Sequence, residues 1–381
     1  GEAYNFGCTM LLSGIVPVIA LPVSLFVFMK FFYNLKLWTV NEYLEKRFSV
    51  TIRSLSGVIF LAVRLVYLGV VLYATAILME NCMGWPPWVS ILVIGGFSTA
   101  YTCLGGMEGV VWTDVIQFFV MFGGILAVIG YIAWMKQDAA GQTPGLSGIW
   151  DYAAGHRRLF NVDEESHFFA WSAKVRISIW PWLFGLPFAL IGPAIDQINL
   201  QRCMSCKNFR EVAWAVSANT LCQIPICFLF YFGGLAVFYY YSRIQPVAPL
   251  PPGDAAFCSF ISHQLPVGLR GILAAGVLAA VMSTVTSVLN SLSAVFVKDI
   301  YQRSLRPGRG DRHYLSVAKF VTLAVGIISL GTGLGIEWLF RGRDIPLLEV
   351  SNVCLTVCGS FGTAIFAMGL LTRRTSSRGM L

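Results

Sequence analysis

Ala280-Val281-Met282-Ser283-Thr284-Val285-Thr286-Ser287 lies inside an apolar run covering residues 271–297. A run of about 20 apolar residues is long enough to cross a bilayer as a helix. At helical spacing Ala280, Ser283, Thr284 and Ser287 fall at i, i+3, i+4 and i+7 and share one face, and Thr286 lies at i+3 from Ser283. The face presents several hydroxyl oxygens and no charge. It suits either of two purposes. Small hydroxyl residues let membrane helices approach closely, and uncharged hard oxygens are the shell that a small hard cation takes.

Outward from this stretch, the same kind of apolar block recurs along the chain. The 381 residues are 56% hydrophobic and only 12% charged, with a mean hydropathy of +0.70. Soluble domains carry about twice that charge fraction. The short alternating segments of a membrane β-barrel are missing, so the chain reads as an all-α polytopic membrane protein. Nine apolar segments are expected, at 8–33, 53–80, 87–104, 110–134, 170–198, 211–241, 270–297, 313–336 and 346–371. No loop between them is long enough for a soluble domain, so residues 1–381 form a single transmembrane domain. A short helix fits 255–264. The chain starts with Gly and has no signal-peptide n-region; it is expected to be trimmed at both ends.

The net charge of +8 reads as topology, not as a nucleic-acid footprint. Loops 34–52, 105–109, 199–210, 298–312 and 372–381, with the adjoining segment ends, hold more than twice as many Lys and Arg residues as the opposite loops. The positive-inside rule places that side in the cytoplasm. Trp85, Trp88 and Trp150 then fall near outer boundaries, where interfacial anchors belong. The ten cysteines follow no framework spacing. Cys203 and Cys206 form a CxxC without a second pair, which argues against zinc. Cys82 and Cys258 fall in loops on the same outer side, where a disulfide can form. All four histidines lie in or beside loops, and no nucleophile–base pair is evident within the spans, so an enzyme is not expected.

Ionisable groups inside spans are rare and usually functional. Asp114 lies near the cytoplasmic end of its span, either as a helix N-terminal carboxylate favoured by the macrodipole or as part of a cation site. Arg64, about three turns into 53–80, is placed to pair with a carboxylate, to snorkel, or to hold an anionic substrate. Glu349 and Asn352 are weaker candidates near the outer end of the last segment, and Asn290 suits a bond to a neighbouring helix. Segment 170–198 contains Pro181, Gly185, Pro187, Gly192 and Pro193. It is either an ordinary kinked helix or a broken one, and broken helices mark transporter substrate sites.

Four motifs in order carry a resemblance. They are Thr39-Val40-Asn41-Glu42-Tyr43-Leu44-Glu45-Lys46-Arg47-Phe48, Leu104-Gly105-Gly106-Met107-Glu108-Gly109-Val110-Val111-Trp112-Thr113-Asp114-Val115-Ile116-Gln117, Asp196-Gln197-Ile198-Asn199-Leu200-Gln201-Arg202-Cys203-Met204-Ser205-Cys206-Lys207-Asn208, and Ser283–Ser291 running on to Lys298-Asp299-Ile300-Tyr301. Together they resemble the sodium/solute symporter family, whose members carry sugars, sialic acid, proline, monocarboxylates and iodide.

The resemblance implies the leucine-transporter-type fold of two inverted five-helix repeats. On that plan about nine transmembrane helices are present, core helices two to ten, without the first. Residues 1–134 are the remainder of the first repeat and 170–371 the second. A first sodium site would draw on Ala280, Ser283 and Thr284, and a second on Asp114, Ser283, Thr286 and Ser287; sodium is the only metal implied. Substrate candidates are Arg64, Asp196, Gln197, Ser351 and Asn352. The implied activity is sodium-coupled secondary active symport, importing a small organic solute (sugar, sialic acid or monocarboxylate-like) across the plasma membrane by alternating access. The setting is a multi-pass protein of the lipid bilayer, of the bacterial inner-membrane type. An alternative reading is a symporter-like sensor module of a signalling protein.

Overall fold

A computed structural model describes residues 2–135, 137, 141, 143–156, 159–160, 169, 178–246, 253–340, 362, 364–370 and 372. Seven helices among them are long and apolar enough to cross a membrane. They are Thr9–Asn34 (α1), Val50–Met83 (α3), Pro87–Gly106 (α4), Glu108–Trp134 (α5), Phe209–Ile244 (α9), Val267–Leu305 (α10) and Asp311–Phe340 (α11). Between them lie four shorter helices: Asn41–Arg47 (α2), Gly145–Gly155 (α6), Ile179–Ile195 (α7) and Gln197–Met204 (α8). The segment expected at 346–371 falls largely outside the described residues, and Glu349, Ser351 and Asn352 lie outside them altogether.

Local chemistry sets the helix ends. Ser49 Oγ accepts from the Ile52 amide at 3.4 Å at the start of α3, and Gly84 (φ 71°) closes that helix in the left-handed region. Asn208 Oδ1 accepts from the Glu211 amide at 2.9 Å, while Glu211 Oε2 accepts from the Lys207 amide at 2.9 Å, so both ends of a capping pair are made at the start of α9. Between α4 and α5 the chain turns at Gly106, with φ 55° and ψ −150°. Only glycine adopts that conformation at low cost.

Segment 170–198 differs from expectation in where it is interrupted. Helix α7 runs through Pro187 and Pro193 without ending, and the backbone leaves the helix at Asp196 (ψ 123°). Asp196 Oδ1 then accepts from the Asn199 amide at 3.0 Å and starts α8. A proline inside a helix forfeits one hydrogen bond but does not force an exit; a side-chain cap that restarts the ladder does. Residues 199–204, expected as loop, are therefore helical. The loop expected at 34–52 likewise holds a helix, α2.

Among the described residues, three apolar cores hold the helices together. Leu68, Leu72, Met79, Ile91, Val288 and Val325 belong to one, which joins α3, α4, α10 and α11. Ile125, Ile132, Phe232, Tyr240 and Phe260 belong to a second, around α5, α9 and the segment 253–264. Leu25, Phe32, Leu44, Leu200 and Val212 belong to a third, where α1, α2, α8 and α9 meet. Helix α5 packs along α10, and the backbones approach closely at Gly276, where an added Cβ would lie 3.3 Å from Met121 Cα. Small residues at such crossings replace the missing hydrophobic drive in a membrane with backbone packing.

At the end of the bundle rich in Lys and Arg, residues 38–47 are fastened by buried polar groups. Asp299 is fully buried. Its carboxylate accepts from Thr39 Oγ1 at 2.5 Å, Asn41 Nδ2 at 2.8 Å, Arg53 Nε at 2.9 Å and Arg53 Nη2 at 2.7 Å. Arg53 Nη1 also donates to Glu45 at 2.6 Å, and Arg303 Nε donates to the other Glu45 oxygen at 2.9 Å. Burial alone would raise the Glu45 carboxyl, but the hydrogen bonds and charge of Arg53 and Arg303 hold it below the ordinary carboxylate range.

Candidate functional site

The register set at Gly276 and Met121 brings the 280–287 face of α10 opposite the first turns of α5. Seven residues earlier on α5 stands Asp114; seven residues later on α10 stands Ser283. A cavity of about 450 Å³ opens there, lined among others by Asp114, Gln117, Ala280, Ser283, Thr284 and Ser287, with Arg64 and Arg202 at its wall. The structure thus brings together the two sequence-predicted sites, with one exception. Thr286 is fully buried, donates to the Ser283 carbonyl at 3.1 Å, and is not among the cavity-lining residues.

The hydroxyls are oriented for acceptance. Ser283 Oγ and Thr284 Oγ1 both donate to the Ala280 carbonyl, at 2.9 Å and 3.2 Å. A hydroxyl has one hydrogen and two lone pairs. With the hydrogen returned to the helix backbone, the lone pairs remain for a cation. Asp114 Oδ1 and Gln117 Oε1 are buried oxygens without a hydrogen-bond partner. Two orphaned acceptors one turn apart on α5 face a helix whose hydroxyls also offer lone pairs. Buried acceptors left in this way are costly unless a donor or a cation completes them, and the set of carboxylate, amide and hydroxyl oxygens fits a small alkali cation.

The other Asp114 oxygen is occupied. Arg202 Nη2 donates to Asp114 Oδ2 at 2.7 Å and to Ser287 Oγ at 3.0 Å. A guanidinium therefore neutralises the carboxylate that the second site would use. Arg202 and Gln117 both stand in motifs quoted above, yet neither was singled out. The reach of a long side chain from α8 into a cavity between α5 and α10 is not readable from spacing.

The substrate candidates separate. Arg64 lines the cavity, and its Nη2 donates to Asp196 Oδ2 at 2.9 Å, with its guanidinium 5.5 Å from the Phe60 ring centroid and 5.8 Å from that of Tyr67. Asp196 thus divides its two oxygens between Arg64 and the start of α8. Gln197 is buried and turned to the cytoplasmic loop: its Oε1 accepts from the Val40 amide at 3.0 Å and its Nε2 donates to the Trp38 carbonyl at 3.2 Å. Ser351 and Asn352 lie outside the described residues.

Comparison with known proteins identifies the family. The sodium:solute symporter family model matches residues 1–381. The chain is 27% identical over 386 residues to the sodium/sialic acid symporter SiaT of Proteus mirabilis (strain HI4320), covering 99% of this chain and 73% of that protein. It is 30% identical over 375 residues to the sodium-dependent multivitamin transporter of Oryctolagus cuniculus, covering 97% of this chain and 56% of that one. A substrate-bound, outward-open structure of a Na+-coupled sialic acid symporter superposes with a TM-score of 0.83 at 27% identity, covering 99% of this chain and 75% of that chain. With seven spans among the described residues, a paired carboxylate-and-hydroxyl cavity and a family match along its whole length, the chain belongs to the sodium:solute symporter family.

Proposed function

We propose that the chain is a sodium-coupled secondary active symporter that imports a small organic solute across the plasma membrane. The observation that carries this reading is the unpartnered Asp114 Oδ1 facing the hydroxyl face of α10 in one cavity. Two sodium sites share that cavity. The first uses Ala280, Ser283 and Thr284. The second uses Asp114, Ser283 and Ser287, with Gln117 adjoining, while Thr286 stays buried behind that face and braces the Ser283 carbonyl. Arg202 holds the Asp114 charge while sodium is away and yields it when the ion arrives. Residues 1–134 act as the remainder of one repeat and 170–371 as the other, and the solute is read where α7 gives way to α8 at Asp196, beside Arg64. A guanidinium at that place favours a carboxylate-bearing solute such as a sialic acid or a monocarboxylate; a sugar would engage the same wall through hydroxyls.

The energetics suffice. One charge moving through about 100 mV releases about 2.3 kcal/mol, and a tenfold sodium gradient adds about 1.4 kcal/mol. One ion therefore supports roughly 500-fold accumulation of a neutral solute, and two ions support more. The test is a screen of the full-length protein in proteoliposomes over sugars, sialic acids, short carboxylates and amino acids. Sodium, and not potassium, should drive uptake of one class. Uptake without a sodium requirement would overturn the reading.

A further inference from the structure

We propose that Cys82 and Cys258 form a disulfide bond on the outer face of the membrane. Cys82 lies in the last turn of α3, and Cys258 lies in the short helix Gly253–Ser259. Both are buried, at 5% and 2% exposure, and both belong to the apolar core that joins α5, α9 and the 253–264 segment. Both are thiols in this structure, and the helix Gly253–Ser259 packs directly against α3, which brings the two side chains within reach of each other. No other role in the transport reading engages either sulfur. Arg53 and the Lys- and Arg-rich 34–52 stretch lie at the opposite end of α3, which puts the Cys82 end on the side away from the cytoplasm. Disulfides form and persist on that side.

The chemistry balances with an exported dithiol–disulfide oxidoreductase as oxidant. The Cys82 thiolate attacks the oxidant's disulfide, and one oxidant sulfur leaves as a thiolate. The Cys258 thiolate then attacks the Cys82 sulfur of the mixed disulfide. The Cys82–Cys258 bond forms and the oxidant departs as its dithiol, having taken two electrons and two protons. A third thiol shares the core. Cys8 is buried in that core at 1% exposure.

The bond would fasten a segment that already ties several spans together. Gln264 accepts from Tyr131 Oη through its carbonyl at 3.0 Å and from Tyr240 Oη through its side chain at 2.6 Å. The crosslink adds the outer end of α3 to those of α5 and α9.

The experiment uses full-length protein purified from membranes without reductant. Free thiols are alkylated with N-ethylmaleimide in denaturant, and peptides are mapped by mass spectrometry before and after reduction with a phosphine. The expected result is one cross-linked species containing Cys82 and Cys258, which reduction splits, with Cys8, Cys203 and Cys206 alkylated. Recovery of Cys82 and Cys258 both carrying maleimide, or of Cys82 joined to Cys8, overturns the proposal. In Cys258→Ser, Cys82 should become alkylated; if that variant fails to fold, the wild-type map decides alone.

Discussion

Replacing Asp114 by Asn removes one charge from the cavity and leaves its shape. In the native protein the carboxylate faces α10 with one oxygen unpartnered and holds Arg202 at 2.7 Å with the other. Two unit charges about 4 Å apart interact by about 4 kcal/mol at an effective dielectric of about 20. That is the ceiling for what sodium loses at the second site. Solvent reaching the cavity lowers it, and a loss of about 1.4 to 4 kcal/mol corresponds to sodium binding weakened by about tenfold to several hundredfold. Sodium-dependent uptake in proteoliposomes should then show a raised half-saturating sodium concentration and a Hill coefficient falling toward one. Arg202→Gln supplies the opposite arm. The Arg202 side chain is 47% exposed, so its grip on Asp114 is a screened pair contributing about 0.2–1 kcal/mol. Removing this tethered competitor should tighten sodium by up to about fivefold. An Asp114→Asn protein with unchanged sodium midpoint and cooperativity would refute a site at Asp114. Weaker sodium binding in Arg202→Gln would refute the competition.

Three further outcomes can be measured. Thr284→Ala deletes a hydroxyl whose hydrogen is already committed to Ala280, so it removes a cation ligand at little cost to the helix; the sodium requirement should rise about tenfold for a loss of about 1–1.5 kcal/mol, and a neutral result would reduce that position to packing. Arg64→Ala should abolish uptake of a carboxylate-bearing solute, read by radiolabelled uptake, and retained affinity would remove Arg64 from the solute site. Asp299→Asn removes the fully buried carboxylate that gathers Thr39, Asn41 and Arg53, while Glu45 still pairs with Arg53, and should destabilise the protein by about 1–3 kcal/mol; detergent-solubilised thermal unfolding that matches wild type would show that residues 38–47 do not depend on this carboxylate.

The spans were legible because a membrane helix declares itself through an uninterrupted apolar block, and α3, α9 and α10 leave no other reading. Their pairing across the cavity was legible only through the motifs. Asp114 and Ser283 are far apart in the chain, and nothing in either segment states that Gly276 will seat against Met121. The polar helices were misjudged for a different reason. Composition marks Asn41–Arg47 as loop, and its backbone order comes from buried partners on other elements, Asp299 above all. The interruption near residue 196 was misjudged because Gly and Pro were weighed more heavily than an Asp able to cap the next helix. Arg202 escaped notice because its charge was counted toward topology, and counting discards where a guanidinium ends.

The turn at Gly106 constrains how the cavity can change shape. Gly106 is the one residue between Pro87 and Gly130 whose backbone leaves the helix, so α4 and α5 meet without slack. Neither helix can slide along the other by even one helical rise without unwinding an end. The remaining freedom is rotation about the two backbone bonds of one glycine. Any tilt of α5 that widens or narrows the distance from Asp114 to α10 must therefore pivot there, as a door turns on one hinge pin. A side chain at 106 would seize that pin, because the φ it needs is closed to L residues. Motion of the carboxylate wall is in this sense a matter of two torsions, set by a residue that is not among those lining the cavity.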